Sequence, residues 1–337
     1  MKHRVKKFFQ LLNGVSYYPE FNRKTWLHRF CDIVNWYFKY HEVNKFYNLY
    51  GQDISKANNI KNSPFQDYES LKIVRDKNNH LYCSNSQTVF LRDKFVFYKA
   101  LENFKINTPK VFAFVKNGHI YDENMNEKDK HWLNCHDDFF FKDNNGECAS
   151  YVKHVSNKEN FEEVIQKCEG NGEFICQEKL IQHPLLSKLN PSSINTIRLV
   201  TVNNNGKIQI LSTILRIGTS KTGCVDNWAK GGIAVGVDEH GKLKQWGFYK
   251  PTFGTKTEIH PDTGVTFLGF ELPYFEDAVN MAIQCHKHFY NIQTIGWDIA
   301  ITEDGPSFIE GNDNWEISLM QVANGGLKQK WEELSKN

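Results

Sequence analysis

The chain has 337 residues, with 41 basic and 39 acidic side chains and a formal net charge of +2. This length allows a sizeable core divided into two or three lobes, and the balanced charge gives no reason to expect nucleic acid as the main partner. The eight cysteines contain no CxxC pair and no zinc-like spacing with histidine, so we expect reduced, mostly buried thiols.

The basic start of the chain is similar to the flank of a signal peptide, but Gln10, Asn13 and Gly14 interrupt the apolar stretch that should follow. No run approaches the roughly 18 apolar residues that a membrane span requires. We therefore expect a cytoplasmic protein.

Residues 24–48 are predicted to form an amphipathic helix. Its apolar side chains recur at three- and four-residue spacing: Trp26, Phe30, Ile33, Tyr37 and Tyr40. The simpler interpretation is a helix packed on the main domain. The alternative is a helix that docks on a membrane surface or a partner, helped by the basic start. The polar residues 52–70 are predicted to be a connecting loop.

From about residue 85, short predicted strands alternate with helices. The predicted strands are residues 111–115, 139–141, 173–180, 197–202 and 208–217. The predicted helices are residues 93–104, 161–168 and 272–290.

A hairpin is predicted where two β-rich runs flank residues 303–305, a three-residue loop with its glycine in the left-handed conformation. We expect Thr302 to pair with Pro306. In this register Asp298 lies directly opposite Glu310.

Two opposed carboxylates repel each other, and a hard divalent cation reverses the sign of that interaction. Asn312 falls on the same face as Glu310, so Asp298, Glu310 and Asn312 are predicted to form a Mg²⁺–triphosphate site. The alternative is an exposed polar face of the hairpin.

Several short motifs precede the hairpin. They are Leu91-Arg92-Asp93-Lys94 followed by Asn107-Thr108-Pro109, Phe141-Lys142 followed by the loop 143–150, Cys176-Gln177-Glu178-Lys179-Leu180, Arg198 and Arg216 inside apolar strands, and Asp226-Asn227-Trp228-Ala229-Lys230-Gly231-Gly232. With the hairpin, their order resembles the ATP-grasp superfamily over roughly residues 40–325. The resemblance is strongest to the sugar-transfer-associated branch, which is found with polysaccharide biosynthesis enzymes.

The resemblance implies that Lys94 and Lys142 reach the nucleotide phosphates, and that Gln177, Glu178 and Leu180 contact the adenine. Taken alone, either lysine would more often be solvated surface, and the segment around Gln177 an ordinary strand end.

A buried arginine requires an anionic partner because its charge cannot be discharged. The resemblance implies that Arg198 and Arg216 contact the terminal phosphate and the developing acyl-phosphate, and it places Asn227 in the same group. Gly231 and Gly232 would let the backbone approach the reacting groups closely. The structural alternatives are salt-bridged strand arginines and a glycine turn.

The implied fold class is α+β, an ATP-grasp fold in which two subdomains with antiparallel sheets clamp ATP. The expected divisions are a helical N-terminal region (1–85), an N-terminal grasp part (86–180) and a C-terminal grasp part (181–337).

The implied function is an ATP- and Mg²⁺-dependent ligase that joins a carboxylate, on a small molecule or saccharide, to an amine. Peripheral contact with membrane-bound polysaccharide machinery is a further hypothesis. A phosphotransferase acting on a sugar hydroxyl and a non-catalytic nucleotide-binding scaffold remain as alternatives, and the full metal-ligand set argues against the scaffold.

Overall fold

The computed structural model describes residues 2–55, 67–77, 85–145, 151–156 and 158–335. Within these ranges the helices are α1 (Lys2–Asn13), α2 (Trp26–Tyr40), α3 (Leu71–Lys77), α4 (Asn85–Arg92), α5 (Lys94–Phe104), α6 (Lys158–Cys168), α7 (Pro184–Ser187), α8 (Phe275–His288), α9 (Ile317–Asn324) and α10 (Lys328–Leu334). None of these helices combines the length and apolar character that crossing a bilayer requires.

The smaller sheet has six antiparallel strands in the order β3-β2-β1-β6-β4-β5. They are β1 (Val111–Lys116), β2 (His119–Asp122), β3 (Glu127–Lys128), β4 (Phe139–Asp143), β5 (Val152–Val155) and β6 (Glu173–Glu178). Its core is aromatic, with the rings of Phe141 and Phe174 stacked 4.8 Å apart.

The larger sheet has seven antiparallel strands in the order β11-β10-β9-β8-β7-β12-β13. They are β7 (Thr196–Asn204), β8 (Lys207–Ile217), β9 (Ile233–Val237), β10 (Leu243–Tyr249), β11 (Lys256–Thr257), β12 (Thr294–Thr302) and β13 (Gly305–Asn312). One face packs against α5 and α8, and the other against α9, α10 and the N-terminal region. Because both faces are covered, β7 and β12 are buried along most of their length.

The connection between α5 and β1 fastens the small sheet to the edge of the large one. The Phe308 backbone N–H donates to the Asn107 carbonyl at 2.9 Å, and the Thr108 hydroxyl donates to the Phe308 carbonyl at 3.0 Å. The Asn107 amide donates to the Pro306 carbonyl at 2.9 Å. The Asn107-Thr108-Pro109 motif therefore positions one sheet against the hairpin of the other.

The predicted strands and helices beyond residue 85 are confirmed, with ends that differ by up to three residues. Helix α8 starts later than predicted because Tyr274 has a φ of 52°, in the left-handed region. Of the six cysteines in the described residues, Cys168, Cys176 and Cys285 are buried, so the expected burial holds for half of them.

The N-terminal region corrects one predicted helix boundary. Helix α2 ends at Tyr40 rather than near residue 48, because His41 adopts the left-handed conformation with a φ of 54°. Residues 2–13 form a further helix, which was not predicted individually within the expected helical region. In the predicted loop 52–70, residues 52–55 and 67–70 form no helix or strand, and the rest lies outside the described residues.

The hairpin has the predicted pairing of Asp298 with Glu310, but its turn is different. Thr302 pairs with Gly305 rather than Pro306, so the loop contains two residues, not three. The register then shifts by one residue between Asp298 and Ile299, where a bulge lies. The shorter loop and the bulge cancel, and the two carboxylates remain opposite each other.

Candidate active site

Three charged residues form a row across neighbouring strands of the large sheet. Asp298 on β12 pairs with Arg198 on β7 at one side and with Glu310 on β13 at the other. Directly opposed residues of antiparallel strands project from the same face. Arg198, Asp298 and Glu310 therefore share one face of the sheet.

Asp298 is bound by two arginines. The Arg198 Nε donates to Asp298 Oδ1, and the Arg198 Nη2 donates to Asp298 Oδ2 at 2.7 Å. The Arg216 Nη2 lies 3.0 Å from the same Oδ2 atom. The anionic partner that the sequence analysis required for the buried arginines is, in this structure, a carboxylate of the protein itself.

Asp226 completes the charge balance of the arginines. Its Oδ1 lies 3.2 Å from the Arg216 Nη2, and its Oδ2 accepts from the backbone N–H of Thr196 at 2.9 Å. The Thr196 hydroxyl donates to Asp226 and accepts from the Arg216 Nε at 2.9 Å. Neither Asp226 nor Thr196 was predicted as a site residue, although two buried arginines require more than one carboxylate to balance their charge.

The two opposed carboxylates have different electrostatic environments. Burial opposes ionisation of Asp298, but Arg198 and Arg216 outweigh it and lower the pKa of Asp298 to about 2. Burial and the nearby charge of Asp298 raise the pKa of Glu310. Glu310 is therefore the undercompensated carboxylate, because the protein balances its charge less fully than it balances the charge of Asp298.

This arrangement fits a hard divalent cation. The Asn312 Nδ2 donates to Glu310 Oε1 at 3.4 Å and to the Gly296 carbonyl at 3.3 Å, so Asp298, Glu310 and Asn312 lie together, with the amide nitrogen rather than its oxygen facing Glu310. A cation bound beside Glu310 would lower the pKa of that carboxyl group. The described residues contain no group of three or more His, Cys, Asp and Glu side chains suited to a metal ion. Magnesium here would take its other ligands from phosphate and water oxygens.

The small sheet brings a cation to the same place. The Lys142 ammonium donates to Gln177 Oε1 at 2.7 Å, and it interacts electrostatically with Glu310 and Lys94. Burial lowers the pKa of Lys142 to about 8, and the nearby charge of Lys94 adds to this effect, while Glu310 opposes it. The cluster therefore contains side chains from both sheets.

Asn144, which the sequence analysis did not select, holds the two lysines near each other. Its backbone carbonyl accepts from the Lys94 N–H at 3.2 Å, and its Oδ1 accepts from the Phe95 N–H at 2.9 Å. The end of β4 is thereby tied to the first turn of α5. Residues 146–150 of the predicted phosphate loop lie outside the described residues.

Of the residues predicted to contact adenine, the structure brings Gln177 into the cluster. Gln177 is buried, and its Nε2 donates to the Pro109 carbonyl at 3.2 Å. Glu178 is exposed, and its Oε1 accepts from the Lys110 N–H at 2.7 Å. Leu180 follows the end of β6 and is half-buried.

Asn227 and the two glycines build a tight turn beside Asp226. The Asn227 Oδ1 accepts from the Ala229 N–H at 2.8 Å and starts a short 3₁₀ turn, which Gly231 ends with a φ of 103°. A Cβ on Gly232 would lie 2.6 Å from the Asp226 carbonyl oxygen. The turn therefore requires both glycines, which is the structural role that the sequence analysis weighed against an approach to substrate.

Two antiparallel sheets and their helices make this a mixed α+β protein, with Lys142 on the small sheet and a row of Arg198, Asp298 and Glu310 on the large one. A model for sugar-transfer associated ATP-grasp proteins matches residues 74–336, which is more than half of the chain. The chain therefore belongs to the sugar-transfer associated ATP-grasp family, as its motifs predicted.

No curated protein matches the sequence. Among solved structures, the chain is similar to D-alanine–D-alanine ligase from Bacillus anthracis complexed with ATP, at 14% identity and a TM-score of 0.40, covering 73% of this chain and 62% of that one. It is also similar to the L-amino acid ligase from Bacillus licheniformis, at 12% identity and a TM-score of 0.43, covering 81% of this chain and 53% of that one. It is similar as well to D-alanyl-alanine synthetase A from Vibrio cholerae, at 10% identity and a TM-score of 0.45, covering 76% of this chain and 64% of that one. The chain thus spans less than two thirds of the length of each of these proteins.

Proposed function

We propose that the chain is an ATP- and Mg²⁺-dependent ligase that joins a carboxylate to an amine through an acyl-phosphate. The observation that carries the proposal is the row of Arg198, Asp298 and Glu310 on one sheet, with Lys142 of the other sheet within electrostatic range of Glu310. Cations and an undercompensated carboxylate at one place suit a magnesium-bound triphosphate.

The binding roles follow from the chemistry of each group. Lys94 and Lys142 bind phosphate oxygens, and Asp298, Glu310 and Asn312 hold Mg²⁺, which neutralises phosphate charge when bound. The adenine is bound by the β6 segment that contains Gln177, Glu178 and Leu180.

Arg198 and Arg216 act on the transferring phosphoryl group. Asp298 occupies two of the five N–H donors of Arg198, so the guanidinium retains donors that can face an anion. The turn formed by Asn227, Gly231 and Gly232 lies next to Asp226, the partner of Arg216, and shapes the adjoining substrate site.

The reaction has two balanced steps. An oxygen of the substrate carboxylate attacks the γ-phosphorus of ATP, and the bond from that phosphorus to the bridging oxygen breaks, which gives an acyl-phosphate and ADP. The amine nitrogen then attacks the acyl carbon, inorganic phosphate leaves, and the amine loses a proton. The products are an amide, ADP and phosphate.

Membership of the sugar-transfer associated family supports a saccharide context for the substrates. We propose that the reaction joins an amino acid or another amine to a sugar acid during synthesis of a capsule, exopolysaccharide or O-antigen.

The experiment measures ADP and phosphate release by the purified full-length chain with Mg²⁺ and ATP. Uronic acids and nucleotide-sugar acids are screened against a pool of amino acids, and Glu310→Gln provides the inactive control. Release of ADP and phosphate in equal amounts, only when both a carboxylate and an amine are present, is the expected result.

Two other results would overturn the proposal. ADP formation without phosphate release would indicate a phosphotransferase that acts on a hydroxyl group. Tight binding of ATP without turnover on any pair of substrates would indicate a nucleotide-binding scaffold.

A further inference from the structure

Helix α2 exposes an apolar stripe that plays no part in the core. Leu27, Cys31, Val34 and Phe38 follow one another at spacings of four, three and four residues, which places them on one side of the helix. Leu27 is 63% exposed and Phe38 is 71% exposed. The helix is held to the body by another edge, where Ile33 is fully buried.

Neighbouring side chains widen this stripe into a surface. Trp26 and Tyr37 on α2 are exposed, and so is Phe9 on α1. The ring of Phe8 contacts the ring of Phe30 with centroids 5.4 Å apart, which packs the two helices side by side. We call the exposed residues of this surface the aromatic face. It consists of Phe9, Trp26, Leu27, Tyr37 and Phe38.

The aromatic face is a concentration of exposed apolar side chains rather than a random scatter. Six of the fifteen exposed large apolar side chains in the described residues lie between positions 9 and 38. Contiguous exposed apolar surface of this kind marks a site of interaction with a protein or a membrane.

The charge of the same region points to the occupant. Residues 1–55 contain nine Lys and Arg against four Asp and Glu, a net charge of +5, whereas the whole chain carries only +2. Four of the basic residues belong to α1: Lys2, Arg4, Lys6 and Lys7. A basic helix beside exposed Trp, Phe and Leu is the pattern of segments that lie in the plane of a membrane interface.

We propose that the aromatic face docks on an anionic membrane surface, with α1 and α2 lying in the headgroup region. The attraction has two components, burial of the apolar side chains and the interaction of the basic residues with anionic lipid. A second copy of the chain fits this surface poorly, because two regions that each carry a net charge of +5 would repel. The inference does not depend on the proposed reaction.

The experiment is flotation of the full-length chain with vesicles of phosphatidylcholine alone, and with vesicles that contain about one third phosphatidylglycerol. We expect binding to the anionic vesicles, little binding to the neutral ones, and a decrease in binding as the salt concentration rises. The double variant Leu27→Gln/Phe38→Gln should weaken binding at least about tenfold, because two anchoring side chains are lost.

The matched control is Leu268→Gln/Tyr290→Gln, whose side chains are 63% and 66% exposed and lie outside the aromatic face. Glutamine is uncharged, so all four substitutions preserve the net charge, and it is a good helix former at the two α2 positions. The control should bind vesicles as the wild type does. Equal loss in both double variants, or equal binding to neutral and anionic vesicles, would overturn the proposal.

The oligomeric state in solution distinguishes a membrane-binding surface from an interface between two copies of the chain. The contrary outcome is a wild type that fails to bind vesicles and instead forms a dimer that Leu27→Gln/Phe38→Gln converts to a monomer. In that case the aromatic face is an interface between copies, and the membrane proposal is wrong. The assay contains no nucleotide or substrate, so its result does not bear on the ligase activity.

Discussion

Arg198 and Asp298 lie directly opposite each other on β7 and β12, and the guanidinium donates to both carboxylate oxygens. This pair holds Asp298 in its ionised form. Glu310, on the other side of Asp298, has a pKa that burial and Asp298 raise. The two opposed carboxylates therefore differ, because the arginines favour ionisation of Asp298 whereas burial and Asp298 oppose ionisation of Glu310.

Removal of the compensated carboxylate should destabilise the fold. Asp298→Ala leaves Arg198 without its partner inside the sheet, where the Arg198 side chain is 10% exposed. Loss of one partner of a buried ion pair costs about 3 to 5 kcal/mol. Chemical denaturation should show a decrease of that size in the free energy of unfolding. A decrease below about 1 kcal/mol would contradict the structural role of the pair.

Replacement of Glu310, the undercompensated carboxylate, should not destabilise the fold. A raised folded-state pKa means that stability from this group is present at acid pH and is lost as the pH rises through that pKa, so Glu310 contributes less to stability at neutral pH than at acid pH. Glu310→Gln should therefore be at least as stable as the wild type at pH 7. It should nevertheless lose Mg²⁺–ATP turnover. Unfolding curves and phosphate release, measured on the same preparation, check both parts.

Nucleotide binding should weaken at alkaline pH because Lys142 has a pKa of about 8 in the free protein. Its charged form binds phosphate, so above pH 8 binding must also take up a proton. The dissociation constant for ADP should rise about tenfold per pH unit above pH 8. Titration calorimetry between pH 7 and 9.5 measures this slope.

Lys142→Arg is the control for that slope. Arginine remains charged throughout this range, so the variant should bind ADP with little dependence on pH. A wild-type slope that persists in the arginine variant would assign the titration to another group.

The link between β4 and α5 can be tested with two variants, each of which removes one side-chain acceptor of a backbone N–H at the start of α5. Asn144 accepts from the Phe95 N–H, and Asp93 accepts from the Val96 N–H, both at 2.9 Å. Asn144→Ala and Asp93→Ala should each cost about 1 kcal/mol of stability. Only Asn144→Ala also loosens the end of β4 that carries Lys142, so it alone should weaken ADP binding clearly. Equal ADP affinities would show that Asn144 does not position the lysines.

The hairpin could be predicted because its signals are local. The two β-rich runs on either side of residues 303–305 locate the hairpin and bring Asp298 near Glu310, although the exact pairing was predicted with a loop of the wrong length. The bulge after Asp298 could not be predicted, since a one-residue insertion leaves no periodic signal over so short a strand. The predicted pairing survived because the shorter loop offset the bulge.

The partners of the site could not be predicted for a different reason. Arg198 and Asp298 are 100 residues apart, and Asp226 meets Arg216 through a turn outside the strands. Strand order and register across such distances are decided by packing of the whole sheet, which no short motif encodes. Asn144 was missed similarly, because its contacts with α5 join elements about fifty residues apart.

The central claim, an acyl-phosphate ligase, is tested most directly by oxygen transfer. The carboxylate substrate that supports turnover is labelled with ¹⁸O, and the phosphate released in the presence of the amine is analysed by mass spectrometry. An acyl-phosphate pathway transfers one labelled oxygen from each carboxylate to phosphate, and this is the expected result. Unlabelled phosphate from a reaction that still forms the amide would contradict the account.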